Sequence, residues 1–269
     1  MDTDEALETG YGDGTPPGDN LCNDFAAGMA ESFRALASAR GDRVADDPDV
    51  LMTDAASASL FGNVVVLRRP FDNGEWPVLA ERLHNFFSGH DGNGFMVFSA
   101  WPTPDLRPRG FGRIGHPPLM FRLVQPLLDQ PVAGLEIRAV NDADGAHDWE
   151  RAFVRGYPIP ELDPLEAGSV LPAEALAAPR WRHWVGYLDG SPIATASAAI
   201  GDRHVEVEFI ATIPEARGRG IGRAMTALAT LAAPDRPAML IASDPGRSVY
   251  EGLGYVALLR VTLWAGHRR

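Results

Sequence analysis

From His204 to Ala242 the chain passes from an extended segment into a glycine-rich turn, straight into an amphipathic helix, and on to a second extended segment. That order leaves few folds open. The first segment, His204–Thr212, alternates Val205 and Val207 with Glu206 and Glu208, so the two-residue period puts both carboxylates on one face. The helix, Arg219–Ala232, carries Ile221, Met225, Leu228 and Leu231 on one stripe and stops before Pro234. A one-sided helix between two strands packs on a mixed α/β sheet. The first N–H groups of such a helix are unpaired and lie at the positive end of its dipole. With Gly218, Gly220 and Gly222 ahead of or within its first turn, an anion can approach them.

The same grammar recurs upstream. Leu60–Leu67, with three consecutive valines, reads as a strand, Glu75–Phe87 as a helix with Trp76, Leu79, Ala80, Leu83 and Phe86 inward, and Phe95–Ala100 as a strand. That βαβ order predicts a right-handed crossover. Before it stand a helix over Asp24–Ala39 and a strand at Val50–Thr53. After it come a Pro/Gly-rich loop over Trp101–Pro118, extended chain at Leu119–Val124 and a linker at Gln125–Gly134. The remainder reads as a strand (Leu135–Val140), a helix (Ala143–Arg155) and a short helix near Ala173–Ala177. Strands at Trp181–Leu188 and Ile193–Ile200 are then joined by an Asp189-Gly190 hairpin turn, with helix Ser248–Leu253 and extended Tyr255–Trp264 at the end. The expectation is an α/β protein of two related domains in tandem, 21–130 and 131–269, behind a flexible acidic leader, 1–20.

Composition narrows the chemistry. All 24 cationic side chains other than histidine are arginine, so a lysine Schiff base and a P-loop lysine are both excluded. The net charge of -12 opposes general nucleic-acid binding. Cys22 is the sole cysteine, which leaves no intrachain disulfide and no cysteine cluster for a metal. With neither a signal-peptide pattern nor an apolar run of membrane-spanning length, the chain reads as a cytoplasmic protein without metal or membrane partner. His116 in Gly-His-Pro-Pro lacks ligand spacing and reads as a loop histidine, and the orientation of His183 in Trp-Arg-His-Trp stays open.

A dinucleotide fingerprint requires a third glycine where Arg223 or Thr226 stands, so the turn Arg217-Gly218-Arg219-Gly220-Ile221-Gly222 is not of that type. It resembles instead the Arg/Gln-x-x-Gly-x-Gly/Ala motif of the GNAT superfamily of acetyl-CoA-dependent N-acetyltransferases, through Arg217, Gly220 and Gly222. Val249-Tyr-Glu-Gly-Leu-Gly-Tyr255 is similar to the family's second signature, and the resemblance covers roughly 135–269. It implies a mixed GNAT-like sheet flanked by helices and an acetyl group moved directly from acetyl-CoA to the primary amine of a small molecule or peptide. A non-catalytic acyl-CoA sensor and transfer to an oxygen acceptor are the alternatives.

The resemblance also assigns residues. The pyrophosphate falls to Arg217, Gly218, Arg219, Gly220, Ile221 and Gly222, the thioester carbonyl and pantetheine to the backbone at Ile210, Ala211 and Thr212. Ser243 stands where the family often carries a cofactor-contacting asparagine. Glu206, eleven residues before Arg217, takes the usual general-base position, with Glu208 the second candidate. Tyr250 takes that of the acid that protonates the leaving thiolate. Tyr157 falls where the family's acceptor site lies, and residues 1–130 carry no such motif, which makes them a degenerate GNAT-like domain without a cofactor site or an accessory domain, serving as partner or acceptor-side wall. The sequence leaves the acceptor and the oligomeric state open, a homodimer included.

Overall fold

The computed structural model describes residues 21–89, 94–127, 131–157 and 159–267. The leader expected at 1–20 lies outside them. The first half contains α1 (Leu21–Arg40), β1 (Arg43–Asp46), β2 (Val50–Asp54), β3 (Asn63–Leu67), α2 (Trp76–Phe86), β4 (Phe95–Ser99), β5 (Phe111–Gly115) and β6 (Pro118–Arg122). The second contains β7 (Leu135–Ala139), α3 (Ala143–Gly156), β8 (Trp181–Leu188), β9 (Ser191–Ile200), β10 (Val205–Thr212), α4 (Ile221–Thr230), β11 (Ala238–Ile241), α5 (Arg247–Gly252), β12 (Val256–Arg260) and β13 (Thr262–Gly266).

Two mixed sheets result, ordered β1-β2-β3-β4-β13-β5 and β12-β6-β11-β10-β9-β8-β7. Each has one parallel pair spanning a helical crossover, β3 with β4 and β10 with β11. The two units are therefore related, as the repeated order of elements predicts. They also trade strands. β6, from the first half, pairs antiparallel with β11 and β12, while β13, the last strand, pairs antiparallel with β4 and β5. The boundary drawn at residue 130 is thus crossed by one strand in each direction.

Three local differences from the sequence reading have plain causes. The strand expected over 60–67 begins only at Asn63, because residues 60–62 form a 3-10 turn whose first N–H groups meet a capping side chain: Ser59 Oγ accepts from Phe61 N at 3.3 Å. Asn63 then ties down the preceding loop, donating from Nδ2 to Ser57 O (2.8 Å) and to Gly94 O (2.9 Å). The other two are unforeseen strands, β1 and β5, both at a sheet edge, one short and charged, the other glycine-rich.

Helix α1 joins the units. Phe25, Met29 and Phe33 lie in the core of the first sheet, whereas Leu36 belongs to the core of α3 and β8. Trp181 Nε1 donates to Ser32 O at 2.9 Å, and Arg180 pairs with Glu31 at 2.6 Å. At Gly28 the helix presses on β10 so closely that an added Cβ would sit 2.4 Å from Glu206 Oε1 and 2.7 Å from the His204 ring.

Candidate active site

β10 and β11 pair only at Val205–Ala238 and Glu206–Met239, and beyond that they part, opening a cleft between two parallel strands. On its other side β10 stays paired with β9 except at a bulge: the register shifts between Glu208 and Ala211, so Phe209 and Ile210 fall outside the ladder. Phe209 sits at φ 52°, a left-handed conformation unusual for an aromatic residue, and Thr195 Oγ1 donates to its carbonyl at 2.7 Å. The bulge takes Phe209 and Ile210 out of the β9 ladder at the point where β11 has left.

Below the cleft the chain enters the glycine turn. Gly218 and Gly220 have φ of 74° and 81°, and Gly220 caps α4 without any side-chain hydrogen bond or first-turn acid. The N–H groups of the first turn are thus left for an external anion. Ile221, Met225, Thr226 and Ala227 bury the opposite side of α4 and fix its direction. Arg219 is exposed beside this turn. Arg217 is arranged differently from its expected place flanking a diphosphate: its Nε donates to Thr212 O (3.0 Å) and an Nη to Gly156 O (2.9 Å). Its guanidinium laces the turn to β10 and to the end of α3. Ser243, exposed after β11, accepts from Gly246 N and Arg247 N and so starts α5.

The packing treats the two candidate carboxylates differently. Glu206 is only 2% exposed, lies under α1 and sits 3.1 Å from His204 Nε2. Sequence spacing alone does not see a helix from the other half of the chain descending on that face. Glu208, two residues on and on the same face, stands half-buried where β10 and β11 diverge. Its carboxyl is pushed up to about 8, by burial first and then by the neighbouring Glu206. Tyr250, buried in α5, has its phenol pushed up to about 12 by burial and then by Glu208. An acid with a pKa near neutrality and a firmly protonated phenol thus share one field.

A polar row crosses the sheet from Glu208. Ser197 is its direct partner on β9 and His183 is the partner of Ser197 on β8, so all three share a face. Ser197 Oγ and His183 Nδ1 are 2.7 Å apart. The row ends at a cavity of about 120 Å³ between the two units, lined by Leu36 and Phe61 of the first and Trp149, Ser169, His183 and Phe209 of the second. Its loop wall is held by Glu150, fully buried, whose carboxylate accepts from Gly168 N (2.8 Å), Val170 N (2.7 Å) and Leu171 N (2.8 Å). The sequence carried a signal for Glu150, an acid inside the apolar stripe Trp149, Ala152, Phe153 of α3. Tyr157, half exposed, stands edge-on to Phe61 at 5.2 Å. Among the described residues no group of three or more His, Cys, Asp or Glu is arranged to hold a metal, and no helix is long and apolar enough to cross a membrane. His116, near Thr262 Oγ1 at 3.2 Å, is a hydrogen-bonded loop residue.

A splayed parallel pair, a bulge at its mouth and a glycine turn feeding an uncapped helix define a mixed α/β fold with an open helix start. The fold is shared with a GCN5-related N-acetyltransferase from Kribbella flavida (TM-score 0.66, 20% identity, 92% of this chain and 96% of that one). It is shared too with a tandem GNAT protein from the clavulanic acid biosynthesis pathway (TM-score 0.50, 13% identity, 92% and 96%). Residues 144–255 match the Acetyltransferase (GNAT) family model, and this part of the chain is a GNAT acetyltransferase domain. No curated protein matches the chain in sequence. Acyl transfer from acyl-CoA is the reaction class that follows.

Proposed function

We propose that the protein moves an acetyl group from acetyl-CoA to a primary amine of a small molecule or peptide, by direct transfer. The observation that carries this is the junction itself: the open N-terminus of α4 below a cleft whose two sides bear Glu208 and Tyr250. The α4 turn with Arg219 holds the diphosphate, and Ser243, exposed after β11, contributes to the cofactor site. Acetyl-CoA supplies an activated thioester. Glu208, rather than Glu206, accepts the proton of the incoming ammonium, directly or through water, which its raised pKa suits. Backbone N–H groups of the bulge around Ile210, Ala211 and Thr212 polarise the carbonyl, and Tyr250 Oη holds the proton for the departing sulfur.

The test is calorimetry with coenzyme A followed by thiol release from acetyl-CoA over a panel of amines. Absence of coenzyme A binding would sink the proposal. Tight binding with no transfer to any amine would favour a sensor of acyl-CoA instead.

A further inference from the structure

Three buried polar atoms on the wall of the cavity between the units make no hydrogen bond among the described residues: Trp149 Nε1, Ser169 Oγ and His183 Nε2. Buried polar groups are almost always paired, so three orphans among the residues that line one space point to a missing polar occupant. The space, about 120 Å³, exceeds what a single water requires, on the order of 10–15 Å³ in the same measure, and suits a group of several heavy atoms. Ser197 fixes the other nitrogen of His183, and in either tautomer Nε2 has one hydrogen bond left to make.

The wall supplies no unbalanced charge. Arg40 is committed to Asp42, Nε to Oδ2 at 2.8 Å. His183 is 4% exposed, its pKa lowered to about 4 by burial and then by Arg182, so it is neutral at physiological pH. A charged ligand group would lose its hydration without a counter-ion. Phe209, whose peptide forms the bulge, is also part of the wall, which puts the cavity beside the reacting end of the cleft on the face that carries Glu208.

We propose that this inter-unit cavity recognises an uncharged hydrogen-bonding group of the acyl acceptor, a carboxamide or hydroxyl, held by Trp149 Nε1, Ser169 Oγ and His183 Nε2. The assignment to the acceptor rests on the transferase reading above; the binding chemistry does not. The acceptor is then an amine with a neutral polar end rather than a second cation or a carboxylate.

Propionamide, propionate and ethyltrimethylammonium, alike in size and none an acyl acceptor, separate the cases. In full-length protein labelled with ¹⁵N-histidine and saturated with coenzyme A, propionamide at millimolar concentration shifts the His183 Nε2 resonance saturably, and the charged probes do not. Ser169→Val weakens that response at least threefold, and His183→Phe, which identifies the resonance, raises the KM of a neutral-ended amine at least tenfold with coenzyme A affinity unchanged. No saturable shift from propionamide, or an equal one from propionate, overturns the site, as does an acceptor KM indifferent to both variants. If propionamide binds in this way while no amine is acetylated, the cavity stands and the transferase reading falls.

Discussion

Glu206 and Glu208 share a strand and a face and differ in their surroundings. Glu206 meets α1 and His204, whereas Glu208 meets the opening between β10 and β11. A carboxylate acting as base must be ionised, so kcat/KM for an amine acceptor is expected to rise with pH to a plateau, with a limb near the Glu208 pKa of about 8. Glu208→Gln should lower kcat/KM by roughly 100-fold or more and remove that limb, a range ordinary for loss of a general base. Glu206→Gln should leave the limb in place; a lost limb in this variant would return the base to Glu206.

The same pKa has a consequence for stability. The folded protein binds this proton more tightly than the unfolded chain, whose glutamate carboxyl has its ordinary pKa of 4.5. The contribution of Glu208 is most favourable below about 4.5, declines as pH rises through the window up to about 8, and is constant above it. Denaturant titrations across that window should show the wild type losing stability with pH relative to Glu208→Gln. Tyr250→Phe removes the hydroxyl whose proton burial keeps in place and leaves the ring, so its effect should fall on kcat and leave coenzyme A affinity within a factor of two.

At the scale of elements, α4 and α1 are each placed by a glycine for a different reason. Gly220 begins α4 at φ 81°, where any side chain is strained and the turn that presents the first N–H groups would have to shift. Gly220→Val should raise the Kd for coenzyme A at least tenfold by calorimetry, with the fold retained. Gly28 admits α1 to the surface of β10, so Gly28→Val overpacks that contact and should cost about 1–3 kcal/mol in equilibrium unfolding.

This contrast marks what the sequence allowed. The glycine turn, the helix after it and the α5 helix with Tyr250 are local patterns with fixed spacing, and the structure has those elements where they were expected, although the buried face of α4 keeps Ile221 and Met225 and leaves Leu231 exposed. The burial of Glu206 under α1 and the hold of Arg217 on Gly156 O arise from elements far apart in the chain, while the polar row through Ser197 depends on the register of three successive strands. No period in β10 encodes them. β1 and β5 escaped for a further reason: as edge strands they bury little, so the apolar alternation that betrays a strand is missing.

For the whole molecule the decisive fact is the exchange of β6 and β13. Each sheet takes an interior strand from the other half, β6 between β11 and β12 and β13 between β4 and β5. Removing either strand exposes two rows of unpaired peptide groups and the apolar face it covers: Met120 is fully buried in the second unit, Trp264 nearly so in the first. The halves therefore cannot be treated as a catalytic domain and a dispensable neighbour, even though only the second carries the glycine turn. Cooperative loss of both is expected, with one unfolding transition in denaturant whether followed by tryptophan fluorescence or by far-UV circular dichroism. A chain cut after residue 130 tests this directly. Expressed alone, 131–269 should fail to give a soluble coenzyme A-binding protein, because its sheet lacks β6; expressed together with 1–130 it should recover binding by complementation. A soluble 131–269 that binds coenzyme A with the affinity of the full chain would show that β6 is not needed to close the second sheet.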